Sequence, residues 1–184
     1  MGVFASLTGM SRTGETIWLT GLSGAGKTTT TTAFVELLAE TGERVVVVDG
    51  DDLRGGLSRG LGFSNEDRDE NVRRAGEMAL IRARQGFVVV AALISPRRVA
   101  RELVRARHHE SDIPFHEVYL STPLEVCEAR DPKALYRAAR AGTNLHMTGL
   151  DDPYEPPLAP ELSINTAECT PREAAESIRG LLGR

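Results

Sequence analysis

The stretch of sequence that decides the fold is Gly21-Leu22-Ser23-Gly24-Ala25-Gly26-Lys27-Thr28. It fits the pattern G-x-x-x-x-G-K-[ST] and lies between an apolar run, residues 16–20, and a helical pattern that starts at Lys27. Glycines here let successive backbone N–H groups and the helix N-terminus face phosphate oxygens. The stretch therefore predicts a phosphate-binding loop between a strand and a helix.

The end of this loop carries the groups that act on a nucleoside triphosphate. Lys27 would place a positive charge on the β- and γ-phosphates, and the Thr28 hydroxyl would ligate the Mg²⁺ ion that bridges them. We therefore expect ATP and Mg²⁺ as cofactors. The residues expected to contact the nucleotide are Gly21, Leu22, Ser23, Gly24, Ala25, Gly26, Lys27, Thr28 and Thr29.

Working outward from the loop, apolar runs alternate with amphipathic stretches along the chain. This order predicts an α/β fold of the P-loop nucleoside triphosphate kinase type, with a parallel sheet covered by helices on both faces. The predicted strands are residues 16–20, 44–48, 87–94, 117–121 and 162–165. The predicted helices are residues 27–41, 66–85, 97–108, 123–130 and 171–182.

The chain is predicted to form one domain, residues 14–184, after an N-terminal extension, residues 1–13. Residues 133–160 are rich in Gly and Pro and match no regular element. A long irregular segment in a compact domain is usually functional. We expect a lid here, from which Arg137 and Arg140 would close over the donor phosphates.

Composition argues against nucleic-acid binding, a membrane-spanning helix and a disulfide-rich fold. The 184 residues carry 22 Lys and Arg against 26 Asp and Glu, a net charge of −4, which argues against a nucleic-acid-binding surface. The longest apolar run, residues 87–94, is far shorter than the roughly 20 residues of a membrane-spanning helix. Only Cys127 and Cys169 are present, too few for a disulfide framework. We expect a cytoplasmic protein.

Three classes of protein use a phosphate-binding loop of this kind. A regulatory GTPase would need a base-reading N-K-x-D sequence, and an ATPase motor would show an apolar strand that ends in Asp-Glu; the chain has neither. The pattern favours a small-molecule kinase.

The acceptor side is predicted at the end of the second strand, at Asp49-Gly50-Asp51. Ligands bind beyond the carboxyl ends of strands in sheets of this kind. A carboxylate at this place could accept a hydroxyl proton or hold Mg²⁺ through water. The next helix presents Arg68 and Asn71 on one side, and Phe63 precedes it with a ring on which a base could stack.

Seven motifs in order over residues 14–183 resemble the adenylylsulfate kinase family. That family transfers the γ-phosphoryl group of ATP to the 3′-hydroxyl of adenosine 5′-phosphosulfate (APS), giving PAPS for sulfate assimilation. Besides the phosphate-binding loop, the motifs are Asp49-Gly50-Asp51, Leu61-Gly62-Phe63-Ser64, Arg68-Asp69-Glu70-Asn71-Val72-Arg73-Arg74, Ile94-Ser95-Pro96, Arg130-Asp131-Pro132-Lys133 and Pro153-Tyr154-Glu155-Pro156-Pro157.

The resemblance implies roles for the matched positions. Asp51 would be the catalytic carboxylate at the acceptor hydroxyl, beside Lys27 on the donor, and Asp49 would join Thr28 at the metal. Ser95 matches a serine proposed in the family as a phosphorylated intermediate, which direct in-line transfer does not require. A homodimer is also implied. The residues implied at the acceptor are Asp49, Asp51, Arg54, Phe63, Arg68, Asn71, Ile94, Ser95, Lys133 and Met147.

The sequence departs from the family pattern in its acceptor half. Asp52, Gly55 and Ala134 stand where asparagine, histidine and glycine are usual. Met147 stands where a phenylalanine covers the acceptor base, although its polarizable sulfur can also pack on a base. Two alternatives therefore stay open: a related kinase with another nucleotide-linked acceptor, and a nucleotide-binding regulatory module without turnover.

Overall fold

The computed structural model describes residues 13–142 and 147–183. Its centre is a five-stranded sheet in the order β2-β3-β1-β4-β5, and every pair of neighbouring strands is parallel. This confirms the predicted fold class. The strands are β1 (Glu15–Thr20), β2 (Val45–Asp49), β3 (Val88–Ala92), β4 (Phe115–Leu120) and β5 (Leu162–Ile164).

Helices cover both faces of the sheet, as the strand–helix alternation predicts. In the described part of the chain they are α1 (Lys27–Ala39), α2 (Gly50–Gly55), α3 (Asn65–Arg84), α4 (Arg98–His109), α5 (Leu124–Arg130), α6 (Leu135–Arg140) and α7 (Pro171–Arg179). The side chain of Ser64 caps α3 by accepting a hydrogen bond from the Asp67 N–H. Serine is a favourable residue at this position, so the cap is specified by the local sequence.

The sheet divides the core into two layers because successive side chains of a strand point to opposite faces. In β1, Ile17 and Leu19 pack toward α1 and α7, whereas Trp18 packs toward α3 and α4. All three side chains are fully buried. Burial on both faces explains the continuous apolar run of β3. The equally apolar run of β2 also suggests a strand buried on both faces, but β2 lies at the edge of the sheet and is only partly buried.

Two short helices were not predicted, and both border the site. α2 begins directly after β2; the Asp49 carboxylate caps it by accepting from the Asp51 N–H at 2.8 Å. α6 lies inside the segment predicted to be irregular. Both oxygens of Asp131 accept backbone N–H groups of its first turn, and Tyr136 donates to the Ser23 carbonyl at 3.0 Å. Local caps together with a tertiary contact such as that of Tyr136 stabilise helices too short to form alone.

The other differences are at element ends. β3 is shorter than the predicted strand of residues 87–94, and β4 starts two residues before the predicted strand of residues 117–121. Residues 1–12 of the predicted extension lie outside the described residues. No helix in the described ranges is long and apolar enough to cross a membrane.

Candidate active site

One large cavity, about 1020 Å³, opens at the carboxyl ends of the strands. The phosphate-binding loop after β1 forms one wall, and Asp49 and Asp51 after β2 form another. Ile94 and Ser95 after β3 lie between them. The topology therefore brings the predicted donor and acceptor groups into a single space.

The backbone of the loop depends on two glycines. Gly24 and Gly26 have φ angles of 76° and 97°, a left-handed conformation that side chains disfavour. A Cβ atom at Gly24 would lie 2.6 Å from the Cys127 carbonyl oxygen, so only glycine fits there. Of the residues predicted to contact the nucleotide, Ser23, Gly24, Gly26, Lys27, Thr28 and Thr29 line the cavity, whereas Gly21, Leu22 and Ala25 do not.

Two threonines, which sequence reasoning missed, hold the loop from behind. Thr122 follows β4 and Thr166 follows β5, and both hydroxyls donate to the Ala25 carbonyl oxygen, at 3.1 and 2.9 Å. Arg130 donates to the Thr166 hydroxyl at 2.7 Å and to the Gly24 carbonyl at 3.2 Å. With its carbonyls engaged, the loop can turn its N–H groups toward an anion.

The Lys27 ammonium group folds back over the loop and donates to the Gly21 and Leu22 carbonyl oxygens, at 2.8 and 2.7 Å. Burial lowers the pKa of Lys27 to about 8, although the carboxylates of Asp51 and Asp49 oppose this shift. A partly buried ammonium group whose bonds within the described residues go to carbonyl oxygens is suited to an anionic ligand, since phosphate oxygens would compensate its lost hydration.

Asp51 and Lys133, both implied at the acceptor, contact each other across the cavity mouth. The Lys133 ammonium group donates to the Asp51 carboxylate, and both side chains are exposed. The pair joins α2 to the start of the predicted lid, 82 positions later in the chain. Asp49 lies deeper, and its carboxylate caps α2.

Arg68 and Asn71 are buried within the acceptor wall rather than solvated. Arg68 donates to the Phe63 carbonyl at 2.9 Å, to the Thr148 hydroxyl, and to Asp152 at 2.9 Å. The Asn71 side-chain oxygen is buried and has no hydrogen-bond partner among the described residues. An unsatisfied buried oxygen costs free energy, so a donor group of a ligand would be favoured there.

Arg54 and Phe63 form the outer rim of the acceptor side. The Arg54 guanidinium group lies 4.5 Å from the centre of the Phe63 ring and donates to the Gly62 carbonyl at 2.7 Å. Phe63 is 62% exposed. An exposed ring at the cavity edge is available to stack on a base, as the sequence predicts.

Ser95 lies at the cavity wall, but its hydroxyl is engaged elsewhere. It donates to the Thr20 hydroxyl at 3.0 Å and accepts from the Trp18 indole N–H at 3.2 Å. Ser95 is only 3% exposed. In this conformation the hydroxyl is occupied on the core side, which suits a direct transfer better than a phosphorylated serine.

The structure bears on two expectations about the predicted lid, the location of Met147 and the role of two arginines. We expected Met147 in a surface segment, but it is 6% exposed and packs in the same core layer as α1 and α7 while also lining the cavity. Arg137 and Arg140 do not line the cavity, and Arg140 pairs with Glu128 at 2.9 Å. Their predicted role in closure stays a prediction.

Comparisons with known proteins agree with this geometry. Residues 13–165 match the family described as adenylylsulphate kinase. An adenylyl-sulfate kinase of Synechococcus sp. (strain JA-2-3B'a(2-13)) is 54% identical over 159 residues, which are 86% of this chain and 89% of that protein. The chloroplastic adenylyl-sulfate kinase 1 of Arabidopsis thaliana is 48% identical over 174 residues, 94% of this chain and 62% of that protein.

The fold of a solved relative is also similar. A Mycobacterium tuberculosis APS kinase, determined in complex with AMPPNP and APS, superposes with a TM-score of 0.91 at 43% identity. The superposition covers 94% of this chain and 99% of that one. With a family match over most of its length and relatives this similar, the chain belongs to the adenylylsulphate kinase family.

Proposed function

We propose that this protein transfers the γ-phosphoryl group of ATP to the 3′-hydroxyl of APS, giving PAPS and ADP. The observation that carries the proposal is the shared cavity, in which the phosphate-binding loop faces Asp51 and Asn71. A regulatory module without turnover would not need a polar acceptor wall opposite the donor loop.

The reaction is an in-line displacement. The acceptor oxygen bonds to the γ-phosphorus while the bond from that phosphorus to the β,γ-bridging oxygen breaks, and ADP leaves. The proton of the acceptor hydroxyl passes to the Asp51 carboxylate, which therefore has to turn from Lys133 toward the acceptor. Lys27 and the loop N–H groups balance the charge that moves onto the leaving oxygen.

Mg²⁺ fits the donor set. Thr28 and Asp49 both line the cavity and supply the oxygen ligands that this ion prefers. No cluster of three or more metal-binding side chains exists among the described residues, which is usual for Mg²⁺ held mainly by substrate phosphates and water. Bound there, the ion would neutralise phosphate charge.

The acceptor is proposed to be APS because the solved relative described above binds APS with AMPPNP. Phe63 would stack on its adenine, and Met147 would pack against the same base from the lid side. Arg54 and Arg68 would hold the phosphosulfate group, with Ile94, Ser95 and Lys133 nearby. For Arg68 this means that the anion shares or replaces its bond to Asp152.

The test is product analysis with a panel of acceptors. The protein is incubated with ATP, Mg²⁺ and one nucleotide at a time, including APS, adenosine 5′-monophosphate and other nucleotide-linked sulfates or phosphates. We expect a mass gain of one phosphoryl group on APS only. Turnover of another nucleotide with APS inert would establish a related kinase instead, and ATP binding without transfer to any acceptor would establish a regulatory module.

We also propose that the protein is a homodimer and that it acts in the cytoplasm. The structure describes one chain, so sedimentation or light scattering of the purified protein is the measurement of its assembly. Cys127 and Cys169 are unpaired, which suits a reducing compartment.

A further inference from the structure

Ser95 has a backbone conformation that needs support. Its φ angle is 40°, in the left-handed region that non-glycine residues rarely adopt. Such conformations persist where surrounding contacts hold them, and they concentrate at functional sites. Trp18 and Thr20 hold the side chain of Ser95. The support of its backbone comes from a residue that the proposed mechanism does not use.

That residue is Arg101 on α4, which is 1% exposed. Its three guanidinium nitrogens donate to three different parts of the chain, each at 2.6 Å: the Ser95 carbonyl, the Glu155 carbonyl and the Glu117 carboxylate on β4. A planar guanidinium group can hold three acceptors in fixed directions, which a lysine ammonium group on a flexible stem cannot reproduce.

The Glu155 contact matters because residues 153–157, here called the return segment, belong to the last part of the predicted lid, residues 133–160. The Glu155 N–H donates to the Pro96 carbonyl at 2.9 Å, and its carboxylate accepts the Arg98 N–H at 2.7 Å. The Tyr154 hydroxyl bonds to the Thr20 hydroxyl at 2.9 Å. The return segment thus packs directly on the turn after β3 that lines the acceptor side.

We infer that Arg101 is a positioning residue for acceptor binding: it joins the turn at Ser95 to the return segment and so fixes the acceptor wall relative to the lid. The inference rests on the proposed function for the meaning of that wall. Arg101 itself does not line the cavity, so its effect must pass through the backbone that it holds.

Arg105, one turn further along α4, provides a matched control. It pairs with the same Glu117 at 3.2 Å and with Glu161 at 2.6 Å, but in the described part of the chain no hydrogen bond or ion pair joins it to Ser95 or to the return segment. Replacing Arg105 therefore disturbs the same ion-pair network without releasing the acceptor wall. A loss caused only by weakened packing of α4 would appear in both variants.

The experiment compares Arg101→Lys with Arg105→Lys, because lysine keeps a charge beside Glu117. We expect Arg101→Lys to raise the KM for APS at least tenfold while the KM for ATP changes less than twofold, since small misplacements of a site cost large factors. Arg105→Lys should leave both KM values within twofold. Equal KM values for APS in the wild type and a folded Arg101→Lys, or a parallel loss for ATP, would overturn the inference.

A second measurement is independent of the acceptor's identity. Hydrogen exchange, followed by mass spectrometry, should be faster in Arg101→Lys over residues 94–98 and the return segment, where the amides of Arg98 and Glu155 are hydrogen-bonded. The loop around Lys27 should keep its wild-type exchange. If wild type does not phosphorylate APS, the proposed function fails, but this exchange pattern still decides the role of Arg101; unchanged exchange at both segments would refute it.

Discussion

The ammonium group of Lys133 forms an ion pair with the carboxylate of Asp51 and thereby connects the lid to the acceptor side of the cavity. The two side chains are 55% and 69% exposed, and exposed ion pairs of this kind contribute only about 0.2–1 kcal/mol. Because the pair is weak, the proposed mechanism allows the acceptor hydroxyl to replace Lys133 at Asp51. In that mechanism the contact breaks when the acceptor binds and forms again when the product leaves.

This relationship leads to a first prediction, for Asp51→Asn. The amide keeps the shape of the side chain but loses the charge and the basic oxygen, so kcat should fall by about 10² or more while the Kd for ATP changes little. Steady-state kinetics and ATP titration measure the two effects. The neighbouring Asp52→Asn is the control, because Asp52 is exposed and does not line the cavity.

If Asp51→Asn instead leaves kcat intact and raises only the KM for the acceptor, Asp51 is a binding residue. Asp49 is then the better candidate for the proton acceptor.

The second prediction concerns Lys27→Ala. Removing one charge from the donor phosphates should cost about 3–4 kcal/mol of transition-state stabilisation, or roughly 10² to 10³ in rate. The fold should survive, because the hydrogen bonds of the Lys27 side chain within residues 13–142 and 147–183 go to two carbonyls of its own loop. Circular dichroism and a melting curve establish folding, and turnover is measured beside them. Near-normal turnover in a folded variant would contradict the mechanism.

The third prediction is a pH dependence. Burial lowers the pKa of Lys27 to about 8 in the free protein. The ammonium form is present below this pH and is lost as the pH rises through it, so kcat/KM for ATP should decline above about pH 8. At saturating ATP the phosphates stabilise the ammonium form, and kcat should decline only at higher pH.

Lys27→Arg tests the assignment of this decline, because a guanidinium group stays charged throughout the range. The variant should be slower overall, yet its kcat/KM for ATP should no longer fall near pH 8. A decline at the same pH in Lys27→Arg would assign the titration to another group.

The donor half of the site could be predicted from the sequence because its signals are local. The loop glycines, Lys27 and the flanking apolar runs are contiguous in the sequence. The glycines are needed for the loop backbone to wrap a phosphate, and the lysine for its charge on the phosphate oxygens. The acceptor carboxylates were predicted for the same reason, since they directly follow a strand. The cap of α3 at Ser64 also depends only on residues that are neighbours in the sequence.

The acceptor wall was harder to predict because it depends on contacts between distant segments. Arg68 and Asn71 have the spacing of a solvated helix face, yet both are buried, and Arg68 is bonded to Thr148 and Asp152, which are about 80 positions away in the chain. Arg101 stands in a helix with many charges, and nothing local marks it as buried. α2 and α6 were missed because short helices depend on tertiary anchors rather than on periodicity.

The last prediction is for Met147→Phe, at a position that lies both in the core layer and at the cavity. A phenylalanine here would supply a ring to the acceptor base, and stacking on an aromatic contributes about 1–3 kcal/mol, so the KM for APS should fall by up to roughly tenfold. Because Met147 is buried in the core layer, the larger ring should also cost about 1–3 kcal/mol of stability. For a domain of this size the melting temperature would drop by about 2–4 °C per kcal/mol.

Met147→Leu is the control for this substitution, since it keeps the volume without adding a ring, and both the KM for APS and the melting temperature should stay near wild type. Met147 lines the open cavity as well as the core, so the added ring can extend toward the bound base instead of into α1. A lower melting temperature with no gain in APS affinity would mean that the ring has turned into the core. Met147 would then be a packing residue, and Phe63 would be the aromatic side chain left to stack on the acceptor base.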